Sequence, residues 1–306
     1  MRKAFSSSRP TLLRAAGSLL SALLLGFLLA VNWGEVQTAL RQIALHHFLI
    51  AFGLVFVSRL FTVLRWYILL RSGGVPISLA ETVSLTFTGL FASNFLPTTI
   101  GGDVVRLAGA IQRGYDRAVC LASIAADRLV NMAGMSLTAP LGLYQIWLAA
   151  PPAASAVLSA GMVASPFHTI RQKTWHFLRR TLESLAFWLQ KPGFLFLALL
   201  AGLANMLCLF GANYVLLRAL GADLAAWRVI GIYSLAYFVG LIPISINGYG
   251  WQELTSSALL AGLGGVVPSL GAAVAVFNRL LMMIASLPGA FTLPGVLARL
   301  PKDEQP

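Results

Sequence analysis

The chain contains several windows of roughly 20 apolar residues, each long enough to cross a hydrocarbon core of ~30 Å as a helix. They lie near residues 11–31, 44–70, 118–139, 141–165, 193–217 and 267–293. Inside a bilayer every backbone N–H and C=O must find a partner within the protein, which leaves helices and closed barrels. Barrel strands alternate apolar and polar residues, a pattern this sequence lacks. The expected fold is therefore an all-α polytopic membrane protein with about six to eight membrane segments. Its residues are 58% hydrophobic and 10% charged, against about 25% charged in a soluble domain. A soluble globular fold is excluded.

The net charge of +12 fits cytoplasmic Lys and Arg and contact with anionic lipid head groups. No basic patch with interleaved exposed aromatics favours nucleic acid. Arg2, Lys3, Arg9 and Arg14 precede the first apolar window, and Arg171, Lys173, Arg179, Arg180 and Lys191 lie in a polar connection at 166–192. Both regions are expected on the cytoplasmic side, the N-terminus included. In the connection, apolar Ile170, Phe177, Leu182 and Leu185 recur at helical spacing, as in an interfacial amphipathic helix; a plain linker fits equally. The first window reads as an uncleaved span, with a signal peptide as the lesser alternative. Cys120 and Cys208 both sit in predicted spans and suggest neither a disulfide nor a metal site. His46, His47, His168 and His176 show no ligand spacing, and there is no nucleotide-binding or zinc motif, so no cofactor or metal is expected.

Two segments interrupt the apolar pattern. In "SNFLPTTIGGDVVRL", Pro97, Gly101 and Gly102 break a hydrophobic run; in "LIPISINGYGWQEL", Pro243, Gly248 and Gly250 do the same. The surroundings match as well. "YILLR" at Tyr67 pairs with "YVLLR" at Tyr214, and "DRL" around Arg128 with "NRL" around Arg279. Tyr67 precedes Pro97 by 30 residues and Tyr214 precedes Pro243 by 29. These landmarks predict two repeats in a single membrane domain, about 44–150 and 193–295. The order of crossings makes them inverted, each with a broken, re-entrant segment. Paired interruptions in inverted halves are a pointer to a central site, since broken backbone inside a membrane must face protein or a wet cavity. The pair Pro151-Pro152 should kink or divide the fourth span.

These motifs, with "AADRLV", resemble those of the flippase-like family, also called the lysylphosphatidylglycerol synthase transmembrane-domain family. The resemblance covers about residues 43–293 and only the membrane half, without an aminoacyl-transferase domain. It implies a multi-pass protein of the bacterial inner membrane that binds, and translocates, an anionic phospholipid or a lipid-linked glycan.

Charges inside a span cost about 2.5–3.5 kcal/mol each at the helix centre, so they face a cavity or a partner. Arg128 and Arg279 are the leading candidates for a lipid phosphate, because a guanidinium fork matches phosphate oxygens and stays charged when desolvated. The bland alternative is structural pairing with Asp127 or Glu253. Asp127 points about 100° away from Arg128 on a helix, so its partner is expected on another segment. Asp103 and Arg106 share a face if a helix starts near Gly102; Asp103 then either caps that helix or forms an ion pair. Asn94 and Asn247 either satisfy broken backbone or contact a head group. Arg59 lies deep in the second window, whereas Arg65, nearer the end, is expected to snorkel to the interface. The leading expectation is lipid translocation through a polar cavity between the repeats. The alternatives are a membrane transferase using Asp103, Asp127 and Glu253 on a lipid-linked substrate, or a non-catalytic partner that anchors a soluble enzyme through the basic connection.

Overall fold

A computed structural model describes residues 43–94, 96, 101–149, 188, 190–242 and 250–297, with positions 37 and 41. The described residues outside turns are all helical. The first apolar window, Pro97, Pro243, Asn247, Gly248, Pro151-Pro152 and nearly all of the basic connection lie outside them.

The element order repeats. Helices α1 (Leu45–Ser72), α2 (Leu79–Ser93), α3 (Gly101–Gln112) and α4 (Arg117–Ala149) are followed by α5 (Pro192–Ala219), α6 (Ala226–Gly240), α7 (Trp251–Gly264), α8 (Pro268–Ser286) and α9 (Pro288–Leu297). The lengths match: α1 and α5 have 28 residues each, and α2 and α6 have 15 each. Helices α1, α4, α5 and α8 are long and apolar enough to cross a membrane. Their outward faces carry Leu49, Leu60, Leu121, Phe196 and Leu207 in exposed positions, as lipid-facing helices do.

The long helices α1 and α5 pack side by side and run antiparallel. Leu54 faces Gly211, Arg65 faces Gly202, and Ser72 receives a hydrogen bond from Lys191. Small residues make the close packing possible: Ala51, Val55 and Ser58 on one side, Ala198, Ala201, Gly202 and Ala212 on the other. Thr62 Oγ1 donates to Asn205 Oδ1 across the seam at 3.3 Å. Because equivalent helices oppose each other, the two halves are inverted.

Each interrupted segment is a helical hairpin. Glu81 at the start of α2 accepts from Tyr115 beyond the end of α3 at 3.0 Å, while Gly89 and Gly102 meet near the break. The hairpin therefore enters and leaves at one end. The second behaves alike: Gly240 lies against Gln252 near the break, and Ile232 packs against Leu260 and Gly264 further along.

Two boundaries differ from the sequence reading. Windows three and four form one 33-residue helix through Pro140 up to Ala149, instead of dividing there. Proline in a membrane helix is tolerated where neighbouring helices support the freed backbone, and α6 packs on this stretch through Gly231 and Ser234. The final window is not one span: Pro288 ends α8, and the chain resumes as α9. The outcome is a second symmetry. The end of α4 packs on α6, and α9 packs on α2, so each half lends its last helical piece to the other half's hairpin. Thr138 Oγ1 meets Ser234 Oγ at 2.7 Å, and Thr292 Oγ1 meets Thr88 Oγ1 at 2.5 Å.

Ser78 opens α2 with a capping box. Glu81 N–H donates to Ser78 Oγ, and Glu81 Oε2 accepts from the Ser78 N–H. These bonds, the backbone one foremost, hold the Glu81 carboxyl below its ordinary value. A depressed folded value means the contribution is present above the unfolded value and lost as pH falls through the folded one. Ser78→Ala is expected to cost about 1 kcal/mol, and the cost should shrink on acidification. Thermal unfolding at two pH values checks both.

Candidate functional site

Charged side chains gather in two places, one in each half, and the two are built alike. Asp103 is the third residue of α3 and Glu253 the third of α7. Each takes the Nε–H of an arginine from the next long helix. Arg128 of α4 donates to Asp103 Oδ2 at 2.6 Å, and Arg279 of α8 donates to Glu253 Oε1 at 2.5 Å. The acid-to-arginine separations along the chain are 25 and 26 residues. The match of Arg128 with Arg279 thus extends to their partners. Asp103 lies inside α3 and serves two guanidiniums, so it is an ion-pair partner and not the cap.

The first half adds a buried network. Arg65 Nε donates to Asp127 Oδ1 at 2.6 Å, and Arg106 reaches Asp127 Oδ2 at 3.3 Å and Asp103 Oδ1 at 3.1 Å. The partners of Asp127 come from α1 and α3, on other segments as its helix position requires. Arg65 does not snorkel. It is 5% exposed, because α5 covers it with Gly202 and Asp127 holds its head group inside. The Arg106 guanidinium also stacks on Trp66, 4.0 Å from the ring centroid. Among the described residues, Arg65, Arg106 and Arg128 are set against Asp103 and Asp127 in this cluster. Arg65 was expected at the interface and Trp66 was not singled out; nothing in their spacing marks them, since the contacts cross from α1 to α3 and α4.

A relay leads from this network to the second half. Arg65 Nη1 donates to Asn131 Oδ1 at 2.6 Å, which fixes the amide so that Asn131 Nδ2 donates to Tyr237 Oη at 3.1 Å. Tyr237 lines a cavity of about 160 Å³, whose wall includes Asn213, Tyr233, Glu253, Asn278 and Arg279. Arg279 also donates to the exposed Gln252 at 3.0 Å, at the rim. Arg59 of α1 lies within electrostatic range of Arg279, with its Nε buried and unpartnered. Among the described residues, Arg59 and Arg279 stand against Glu253.

The remaining candidates are placed as follows. Asn94 ends α2 and donates to Ser286 Oγ at 2.8 Å, which ties the first hairpin to α8. Gly101 and Gly102 begin α3, and Gly250, at φ 73°, immediately precedes α7. Gly102 is required by packing, for a Cβ there would stand 2.5 Å from the Gly89 carbonyl oxygen. Among the described residues no three His, Cys, Asp or Glu side chains group as metal ligands do.

A curated relative, the "UPF0104 membrane protein" of Methanothermobacter thermautotrophicus, is 22% identical over 297 residues, covering 84% of this chain and 87% of its own length. No solved structure matches the chain. The sequence pattern of the lysylphosphatidylglycerol synthase TM region matches residues 14–289, and the chain belongs to that family of multi-pass membrane proteins.

Proposed function

We propose that the protein binds a membrane lipid and moves its head group across the bilayer, using the cavity that lies within the second half, with Met135 alone contributed by the first, and not between the two halves as the sequence led one to expect. The observation that carries this reading is the mirrored pair of arginines on the long helices after the two breaks, one of them in the wall of a cavity. Each arginine is engaged by a carboxylate through Nε, and among the described residues the guanidiniums of each cluster outnumber its carboxylates. Such a setting suits a lipid phosphate, whose oxygens match a guanidinium fork. The fold supplies the second requirement. Two hairpins that meet the long helices through glycines and short hydroxyl contacts can shift against them while their backbones stay internally bonded.

Purified protein in liposomes with fluorescent phosphatidylglycerol tests the proposal. An impermeant quencher reports how fast inner-leaflet lipid becomes accessible. Wild type is expected to accelerate exchange, and an Arg128→Ala, Arg279→Ala double variant that remains folded should slow it at least tenfold. Equal exchange in the two proteins would remove the arginines from the transport site.

A further inference from the structure

Arg59 stands apart from the ion pairs described above. It sits halfway along α1, fourteen residues after Leu45 and thirteen before Ser72. At 1.5 Å per residue a helix of this length spans about 42 Å, the thickness of a bilayer with its head-group layers. Arg59 is therefore about 20 Å from either face, at the midplane. No arginine side chain reaches a head-group layer from there, so snorkelling does not relieve its charge.

Its neighbours do not relieve the charge either. Arg65, Arg106, Arg128 and Arg279 each hold a carboxylate. Among the described residues Arg59 makes no ion pair or hydrogen bond, and its Nε is buried without a partner. The charged group in range is a second cation, Arg279 of α8, and Glu253 is held by Arg279. Yet the side chain is not sealed in. It is partly exposed, and its chain neighbours Val57 and Leu60 face outward, 40% and 43% exposed.

The fold does not require a charge at this position. Tyr67 and Tyr214 align the halves, and in that register Arg59 corresponds to Met206. Met206 is 1% exposed and packs against Gly134 of α4. The same register sets Arg65 against Ala212, so α1 carries an arginine in two places where α5 carries an apolar residue. Asp127 accounts for Arg65. A guanidinium at the midplane beside another cation calls for an anion that no described residue supplies. Depth says which motion it serves. Arg128 lies eleven residues into α4 and Arg279 eleven into α8, and in inverted halves these helices start at opposite faces. Each arginine is about 16 Å from its own face, so the two bracket the midplane and Arg59 fills the step between them.

We infer that Arg59 holds the phosphate of the moving lipid at the midpoint of its passage, at the seam of α1 and α8 and outside the wall of the cavity. The assignment rests on the lipid-transport reading above and adds the station on which the charge crosses the midplane. Arg279 in the cavity wall and Arg59 beside it present two guanidiniums, and phosphate oxygens can pass from one fork to the next. Arg59 is thus a positioning residue for the anion.

The test pairs lipid retention with stability. The full chain in detergent micelles would be offered phosphatidic acid and diacylglycerol, which differ only in the phosphate, and retained lipid would be counted by native mass spectrometry. Wild type should retain phosphatidic acid at least tenfold over diacylglycerol. Arg59→Met, the residue found at this position of the second half, should cut that preference at least fivefold. Its thermal unfolding without lipid should lie at or above that of wild type, which a structural role for Arg59 would reverse. Arg59→Lys, which keeps the charge and loses the fork, should fall between the two in retention. Excess inorganic phosphate should leave the retained lipid in place. A preference that survives Arg59→Met, or a lowered unfolding temperature in that variant, would overturn the assignment of Arg59 and leave the transport reading standing. Displacement by inorganic phosphate would give the site to a free anion and overturn the assignment too. A wild type with no preference would overturn both.

Discussion

Asp127→Leu is expected to destabilise the protein by about 3–5 kcal/mol, the cost of leaving buried charge uncompensated. The carboxylate is 3% exposed and holds two guanidiniums that are themselves 5% and 6% exposed. Without it, Arg65 and Arg106 would face each other across a dry interface between α1, α3 and α4. Asp127→Asn keeps the shape and removes the charge, and should cost nearly as much. Arg128→Ala breaks a pair whose arginine side chain is 46% exposed, and should cost under about 1 kcal/mol. Thermal unfolding of the purified proteins in one detergent ranks the three. Exchanging the whole buried group for apolar residues (Arg65→Met, Arg106→Met, Asp127→Leu) should be far milder than Asp127→Leu alone, since the pair's own desolvation cost disappears with it. Asp127→Leu within about 1 kcal/mol of wild type would show that the network is open to water.

This network also explains why the halves differ. In the first, Asp127 and Asp103 hold three guanidiniums and lock α1, α3 and α4 together. In the second, the outer Glu253–Arg279 pair is the counterpart among the described residues, and Asn213 Oδ1, Asn278 Oδ1 and Glu253 Oε2 are buried without donors. The molecule thus pairs a half filled by an ion-pair network with an open one, linked through Asn131 and Tyr237. A ligand that enters the open half meets Tyr237, whose oxygen is already held by Asn131. Its position therefore reports on Arg65 and the first half. That connection gives the two halves a physical route for coupling, with one residue of each in direct contact.

Much of this was legible in residue spacing, and the part that was not has a common cause. Asp103 and Arg106 are three apart, which already places them on one helical face; they do pair. Arg128 and Arg279 matched in sequence because each sits at the same register from an acid that follows a glycine-rich break. Those are local relations, carried along a single helix or across one turn of chain. Arg65 bonds to Asp127 over 62 residues, and its distance from a span end said nothing about which helix would cover it. The cavity was hidden for the same reason. It arises from what is small at Ala212, Asn213 and Ser256, and smallness becomes a void only when the opposing helices are known. The two apolar windows that meet at Pro140 form one helix because the rule that proline ends a helix is a statement about isolated backbone. Here α6 covers that stretch and the helix continues.

Gly142→Ala is expected to cost about 3 kcal/mol, at the upper end of the range for overpacking a well-filled interface. Gly142 follows Pro140 on α4, where this helix crosses α6. A Cβ placed there would stand 2.5 Å from the Gly231 carbonyl oxygen and 2.5 Å from Leu235 Cγ. The side chain could move aside, but the backbone oxygen could not without displacing α6. Adding Leu235→Ala should therefore fail to rescue the variant; a full rescue would mean that the leucine alone sets the limit. Gly53→Ala is the control, because a Cβ on that residue of α1 meets nothing within 4 Å and should be neutral or stabilising by up to about 1 kcal/mol. Stability is only part of the expected result. The crossing of α4 on α6 joins the halves and carries Tyr237 beside Asn131, so pushing α6 away should lengthen that bond and reshape the cavity wall. A surviving Gly142→Ala protein should lose lipid retention as well as thermal stability, whereas Ser78→Ala, which loosens only the start of α2, should lose stability alone.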